Sequence, residues 1–548
     1  MTVTHHIGIL PKQLHCLQIL ILYFMKKYFL LFLTALMLAF SSRAQAQTTP
    51  NFSEHIAPLI YNHCARCHRP GEVAPFSLLS YADVASRGQT IKAVTGSGYM
   101  PPWKPDPTYR HYLDENVLSA AEVTQIKNWV DGGMPQGNPT LAPPVPTFPS
   151  GSQLGTPDLV VPMAQKFTIP GNNHDLYRVF VLPVLLPADK DVAAIEFRPG
   201  NKSLVHHSII GLDTTSQGAA LDAAAPGYGY TSFGGFGFTT VEDNFGGWVP
   251  GAQARFYPTG LGKKLYKKAT LLVQVHYGPT SVAQTDSSVL NIFYSRQPVV
   301  RYVTTVPAIS PWTGLTNGPF IIPANTVKTF HFSLTVPQDM STLSVLPHSH
   351  LLAKKWKIWA VKPNGDTIKL AKIDAWNFRW QGNYRFLNMQ RIPAGARLEA
   401  DVTYDNTASN PRQPNSPPQP VQWGENTSDE MLLGYFDTVP YRPGDESVAL
   451  ATRAVVPVGM AADDDFLLHP NPAELGSATA SFTLAQAGPV SLRLLDQNGR
   501  LVRTVLSNQT QPAGAHQAPL PLQELAAGLY LVQLEAEGRV RVGKLLVQ

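Results

Sequence analysis

From about residue 155 to 455 the chain is a succession of short segments in which apolar and polar residues alternate, with no helical period between them. Leu176–Val184, Ala193–Gly200, Ser203–Ile210, Ala269–Gly278, Lys354–Lys362 and Arg397–Asn406 all follow this pattern. A period of two places every second side chain on one face, the signature of a half-buried strand. Gly, Pro and Asn turns separate the runs, and nothing alternates strand with helix. The pattern therefore specifies antiparallel sandwiches and excludes a doubly wound α/β sheet. Three hundred residues exceed one sandwich, so a division is expected near 300, before the turn-rich Ser310-Pro-Trp-Thr-Gly314, giving domains at 153–300 and 301–456. Four further strand-like runs, Ala478–Leu484, Val490–Asp496, Gly528–Ala536 and Arg539–Val547, predict an Ig-like sandwich over 465–548.

The front of the chain differs. Residues 50–137 carry helical signals: an amphipathic run from Phe52 to Tyr61, and Ser119-Ala-Ala-Glu122 ahead of Val123, Ile126, Trp129 and Val130, a capping box opening a helix. A Pro-rich stretch at 138–152 reads as a stiff linker holding this small helical domain near the sandwiches. The expected fold is thus multidomain and mainly β, with a small helical domain, two jelly-roll-like sandwiches and a C-terminal Ig-like sandwich.

Upstream, Met25-Lys-Lys, an apolar run from Tyr28 to Phe40 and Ala44-Gln-Ala46 have the layout of an export signal. The 13-residue run is too short to span a bilayer. Residues 1–46 are read as signal, with Met25 as the expected start and 1–24 as a poorer apolar extension that includes Cys16. Lys12, Lys26, Lys27 and Arg43 all lie in this segment; without them, 39 basic residues face 38 acidic ones, too even a balance for a nucleic-acid binder. The expected location is the cell surface or the medium.

Beyond Cys16 the chain has two cysteines, three apart, in Cys64-Ala-Arg-Cys67-His68. One close pair is no disulfide framework. CxxCH is the attachment motif of c-type haem: two thiols on one turn reach the two vinyl groups, and the next residue brings imidazole to the iron. A CxxC redox pair is the competing reading. Met100, in Met-Pro-Pro-Trp103, is the expected second axial ligand, since His/Met ligation raises the iron potential for electron transfer. Met134 competes for that role, whereas His63 and His111 read as surface residues. The run from His63 to Tyr81, with Met-Pro-Pro-Trp and Leu118–Gly133, resembles the class I cytochrome c domains fused to bacterial copper monooxygenases.

Five histidines sit inside apolar strand-like runs: His206 and His207 in Leu-Val-His-His-Ser, His276 in Gln-Val-His-Tyr, and His348 and His350 in Pro-His-Ser-His. A polar group there is costly unless satisfied. Residues i and i+2 of a strand share a face, so His348 and His350 can chelate one metal. Adjacent His206 and His207 can do so only where the strand is bulged; otherwise one is a core histidine. These motifs, followed by Thr427-Ser-Asp-Glu-Met431 and with Gly246–Gly260 between the first two, resemble the copper type II, ascorbate-dependent monooxygenases over roughly 155–455. That family includes peptidylglycine α-hydroxylating monooxygenase and dopamine β-hydroxylase. The resemblance implies two coppers. His206, His207 and His276 would hold the electron-storing copper, and His348, His350 and Met431 the copper at which O₂ and substrate react. Imidazole suits copper and a thioether selects Cu(I), which agrees with those assignments. Tyr435 matches a substrate-contacting tyrosine and Gln274 a glutamine near the first copper. Two departures stand out: the disulfides of the animal enzymes are absent, and Leu346 replaces the arginine that holds the substrate carboxylate in the peptide-amidating enzyme, leaving Arg255 and Arg379 as possible substitutes.

His469-Pro-Asn-Pro472, Asp496–Arg500 and Leu525–Tyr530 resemble the type IX secretion sorting domain, an export address. Together these readings imply a secreted copper monooxygenase with one covalent haem c, acting on a small organic substrate with O₂. Its electrons would come from an ascorbate-like reductant or a redox protein, and its export partner would be the type IX machinery. The alternative is an extracellular electron-transfer or copper-binding cytochrome protein without hydroxylase activity.

Overall fold

The computed structural model describes residues 49–548, apart from 150, 233–234, 239, 241, 425, 451–465, 474–477, 485, 497–500, 524, 527, 538 and 548. The signal read at 1–46 lies outside the described residues. Among the described residues, strands take 42% and helices 11%, so the protein is mainly β and built of several sheets.

The first two large sheets share a core. One orders Leu159–Pro162, Val289–Tyr294, Lys190–Arg198, Leu261–Leu265 and Arg301–Tyr302; the other orders Leu176–Pro183, Thr270–Tyr277, Val205–Asp213 and Glu242–Trp248. Val192, Phe197 and Ile292 from one sheet meet Phe180, Val273 and Leu212 from the other. The next pair is built from residues 304 onward. One sheet orders Thr304–Ile309, Leu433–Pro440, Met340–His348 and Tyr384–Ile392, and its partner Val327–Thr335, Arg397–Asp405, Ala353–Val361 and Thr367–Ile373. Arg397–Asp405 shows the sequence logic directly: Leu398, Ala400, Val402 and Tyr404 are buried, and the residues between them are not. The C-terminal module packs a three-stranded sheet on a four-stranded one around Phe482, Leu492, Val532 and Leu534.

The helical segment packs Phe52, Ile56, Ile60, Val84, Ile91, Ile126 and Trp129 into its own core. In its longest helix, Ala120–Asp131, Ser119 accepts from the Glu122 amide while the Glu122 carboxylate takes the Ser119 amide, closing the capping box read in the sequence.

Besides the 138–152 stretch read as a linker, a second tie joins this segment to the sandwiches. Residues 103–113 lie against the second sandwich as a strap. The Asp106 amide donates to the Lys372 carbonyl (2.8 Å), and Lys372 Nζ returns to Asp106 Oδ2 (2.9 Å). Tyr112 is 3% exposed, donates to the Leu370 carbonyl (2.7 Å) and packs against Phe386 and Tyr384, with Trp103 edge-on to Tyr384. Aromatic burial of this kind fixes the module to the second sandwich.

Candidate metal centres

The histidines of the first sandwich meet through a bulge. Val205 stands opposite Tyr277 and His207 opposite His276, so the ladder passes over His206. The extra residue turns both His206 and His207 to the same side. Their Nδ1 atoms lie 3.2 Å apart, and both rings stand 4.9 Å from that of His276. One ring nitrogen from each of the three falls within a 4.8 Å group.

His276 is 1% exposed; its Nε2 meets Asp175 Oδ1 at 2.8 Å, and its Nδ1 is buried without a hydrogen-bond partner. Asp175 engages Nε2, so Nδ1 is the ring nitrogen left free toward the other two imidazoles. An orphaned buried acceptor is expensive in an ordinary core; beside two more imidazoles it has the character of a metal ligand. Tyr177 stacks flat on His276 at 4.1 Å and fixes the plane of the ring. Burial, aided by the neighbouring imidazoles, pushes His206 down to about 3 and His207 well below its ordinary value, so both stay neutral and able to donate.

In the second sandwich His348 ends its strand and His350 follows it, with ring centroids 5.3 Å apart and planes perpendicular. His348 Nδ1 meets Gln381 Oε1 at 2.7 Å and His350 Nδ1 the Asp429 carbonyl at 3.1 Å. These partners take a proton on each Nδ1 and leave each Nε2 as a donor. Burial lowers His348 to about 3 and His350 to about 4. Met431 is tied to the same place by its backbone. Tyr404 donates to the Met431 carbonyl (2.7 Å) and pairs with Ser349, between the two histidines (3.0 Å). The fully buried Glu430 carboxylate accepts from the amides of His350 (2.9 Å), Leu352 (2.6 Å) and Met431 (3.2 Å). One buried carboxylate thus holds the backbone of both His350 and Met431.

One loop joins the clusters. Residues 374–383 carry Phe378, whose ring lies 4.9 Å from His206 and 5.5 Å from His350, and Gln381, the partner of His348. Trp376 of the same loop donates to the His350 carbonyl (3.2 Å). Asp175 also accepts from Thr427 (3.3 Å), linking His276 to the approach to Met431. The sequence reading missed Asp175, Phe378 and Gln381. The aromatic density of Trp376-Asn-Phe-Arg-Trp-Gln381 in a turn was a usable signal; Asp175 had none.

Gln274 shares the face of His276 two residues on, but its amide goes to the Ser232 and Gly235 carbonyls (3.0 and 2.6 Å), so it pins a loop. Tyr435 stands opposite Leu346, half-buried, on the side of the sheet that carries His348. Arg255 is committed to Asp114 and Gln253.

In the helical segment the Cys67 and His68 amides both bond to the Cys64 carbonyl (3.1 and 2.9 Å), one turn that puts both free thiols and the imidazole together. His68 Nδ1 meets the Phe76 carbonyl at 3.2 Å, which leaves Nε2 for a ligand. Burial pushes the Cys64 thiol up to about 12, the opposite of the acidified thiol a redox CxxC pair requires. Met100 closes the loop after the helix Gly88–Gly96 and is half-buried. Met134 packs its sulfur against Gly88 and so serves the core. His63 spans Asn116 and Glu122, and His111 pairs with Glu115 on the surface.

Residues 467–548 match the Secretion system C-terminal sorting domain family. That module directs the chain into type IX secretion, to the cell surface or the medium, and its partner is the secretion machinery. Among the described residues no helix is long and apolar enough to cross a membrane. No curated protein matches the chain. Solved structures with local similarity include PNGF-II, at 9% identity over 52% of this chain and 66% of that one, with a TM-score of 0.24. A calcium-binding mutant of Bacteroides uniformis β-glucuronidase 2 reaches 14% identity over 44% and 28%, with a TM-score of 0.12. The infectious bursal disease virus VP2 subviral particle reaches 11% over 54% and 75%, with a TM-score of 0.15.

Proposed function

We propose that this exported chain is a copper-dependent monooxygenase with a fused c-type haem, catalysing RH + O₂ + 2 e⁻ + 2 H⁺ → ROH + H₂O. The observation that carries the reading is two unlike clusters that share contact with Phe378: the three imidazoles through His206, and the His348–His350 pair, which Glu430 ties to the Met431 backbone, through His350. Both donor sets fit copper. They are nitrogen- and sulfur-rich and contain no carboxylate of the kind a hard cation needs. His206, His207 and His276 would hold one ion, and His348, His350 and Met431 the other. Bound copper would supply one-electron redox chemistry toward O₂.

The chain's own residues prepare the sites. Asp175 fixes the tautomer of His276, and Gln381 and the Asp429 carbonyl fix those of His348 and His350. Glu430 keeps the Met431 backbone beside the histidine pair, and the Phe378 ring packs against His206 and His350. Cys64, Cys67, His68 and Met100 would hold the haem, which admits electrons from an ascorbate-like reductant or a redox protein. The substrate is a small organic molecule.

The test is copper content combined with turnover. The exported protein should bind two coppers and one haem, consume O₂ with reductant, and add 16 mass units to a component of an extracellular metabolite pool. A protein that holds both metals and only cycles electrons would instead be the non-hydroxylating cytochrome.

A further inference from the structure

The turn 427–430, which meets His350 through the Asp429 carbonyl, also walls a polar cavity that no histidine lines. The cavity measures about 310 Å³, and its lining includes Ile321, Asn415, Gln419, Gln422, Ser428 and Asp429. Ile321–Ile322 and Val421–Gln422 pair beside it as short strands, with Ile321 opposite Gln422. Gly424 packs against the Asp429 carboxylate so closely that a Cβ there would collide with it. Between Gln422 and Gly424 stands Trp423, whose backbone bridges to Glu430 and whose ring meets that of Trp312 edge-on at 4.3 Å. Trp312 is 67% exposed, on a turn in which its amide donates to Ser310 Oγ (3.3 Å).

The walls narrow the chemistry of what can bind. The side chains of Asn415, Gln422 and Ser428 make no hydrogen bond among the described residues. Asn426 takes Asp429 Oδ2 (2.7 Å) and leaves Oδ1 as an acceptor. No lysine, arginine or histidine lines the cavity, so an anion finds no partner, and one carboxylate is too little for a hard cation. Amides and hydroxyls that both donate and accept suit a ligand whose own groups do the same. An exposed indole adds a flat face for C–H-rich surface. A lone exposed tryptophan is ordinary; two in contact beside unspent hydrogen-bonding groups are not.

We infer that this cavity and the Trp312–Trp423 pair form a binding site for a neutral glycan. Sugar hydroxyls would meet Asn415, Gln422, Ser428 and Asp429, and a C–H face of the ring would lie on Trp312. The cavity is at the lower end of the roughly 300–1,000 Å³ usual for small-ligand sites, room for about one or two sugar rings. The inference goes beyond the monooxygenase reading and does not rest on it: Asp429 is shared with the second histidine pair only through its carbonyl.

The test runs the full exported chain through native gels containing hydroxyethylcellulose, laminarin, galactomannan or xylan, with polygalacturonate as the anionic control. At least one neutral polymer should retard it. Affinity, read from the polymer concentration that halves mobility, should fall about tenfold or more in Trp312→Ala. Gln422→Ala should weaken it as well, and Trp312→Phe should retain part of it. Both positions are exposed, so the variants should melt as the native chain does. No retardation in any neutral gel overturns the inference, as does a Trp312→Ala variant that binds like the native chain. Retardation by polygalacturonate alone, or retention on immobilised denatured casein in place of the glycans, overturns it too. Chelator-treated and copper-loaded protein should bind alike, so this site can fail while the monooxygenase reading stands, and the reverse.

Discussion

Asp175 offers the sharpest test of the three-histidine cluster, because its one carboxylate decides which nitrogen of His276 faces inward. His276 is 1% exposed, with Nε2 at 2.8 Å from Asp175 and Nδ1 without a partner. In Asp175→Ala the imidazole proton has two poor choices. On Nε2 it is buried and unsatisfied, at about 1–3 kcal/mol. On Nδ1 it blocks the lone pair the cluster needs. Either way copper affinity at this site should fall ~10–100-fold, about 1.4–2.7 kcal/mol. Asp175→Asn keeps an acceptor near Nε2 and gives up the charge, so its loss should be smaller, roughly tenfold or less.

The assay is competition for Cu(I) and Cu(II) against a chelator, with the His348–His350 site followed separately by X-ray absorption through the sulfur that the proposed Met431 ligand would supply. Thr427→Val serves as control, since the Thr427 bond to Asp175 is long, at 3.3 Å, and its loss should change affinity less than twofold. The reasoning fails if Asp175→Ala binds copper as the native chain does, or if both sites weaken together. The second outcome would make Asp175 a joint between the sandwiches and nothing more.

Met431→His should retain both coppers yet shift the second site toward Cu(II), with product formation falling at least a hundredfold; full activity would remove Met431 from that site. Tyr112→Ala should lose about 3–5 kcal/mol of packing where the strap meets the second sandwich, read as faster proteolysis within 103–113, while the sorting module keeps its own melting transition. Asp445 supplies a pH prediction. Burial raises its pKa, but the bonds from Arg301, Ser341 and the Arg442 amide outweigh that and hold it down at about 2. A carboxylate depressed in the folded state contributes stability above its unfolded pKa of 3.8 and loses it as the pH falls toward 2. The contribution is about 2 kcal/mol, so Asp445→Asn should flatten the acid limb of denaturation between pH 4 and 2 and leave no difference near pH 2.

The strands were legible because burial on one face writes a period of two into the sequence, as at Leu398, Ala400, Val402 and Tyr404. The ligand candidates were legible for the related reason that a histidine inside an apolar run must have a purpose. The sequence also posed the right question about His206 and His207, and the bulge opposite Tyr277 answers it in favour of a shared face. What stayed hidden came from elsewhere in the chain. Asp175 is 101 residues from the His276 it orients, and Gln381 is 33 from His348. Such partners are chosen by proximity after folding, and an isolated Asp or Gln before a strand looks like any turn residue. The role of 103–113 was hidden because Trp103 and Tyr112 have no helical or strand period; they are buried by a neighbouring domain and not by their own element.

The position of the strap changes how the helical module must be understood. A tether would raise its local concentration near the clusters and leave its orientation free. Instead the module touches both sandwiches, by contacts of different character. Toward the second it offers Tyr112 and Trp103 to an aromatic group and Asp106 to Lys372. Toward the first it offers ion pairs, Glu72 to Lys202 and Asp114 to Arg255. Ion pairs with partly exposed members contribute ~0–1 kcal/mol each and are screened by salt, whereas the aromatic anchor is not. The module therefore belongs structurally to the second sandwich and leans on the first through contacts that ionic strength weakens. His206, His207 and His276 sit on the first sandwich and His348 and His350 on the second, so those ion pairs join the sandwich of one cluster to the module that grips the sandwich of the other. Raising salt should loosen that joint before any sandwich unfolds, and hydrogen exchange at 202–207 should rise while exchange at 106–112 stays protected. Equal deprotection of both segments would mean that the module grips the two sandwiches alike.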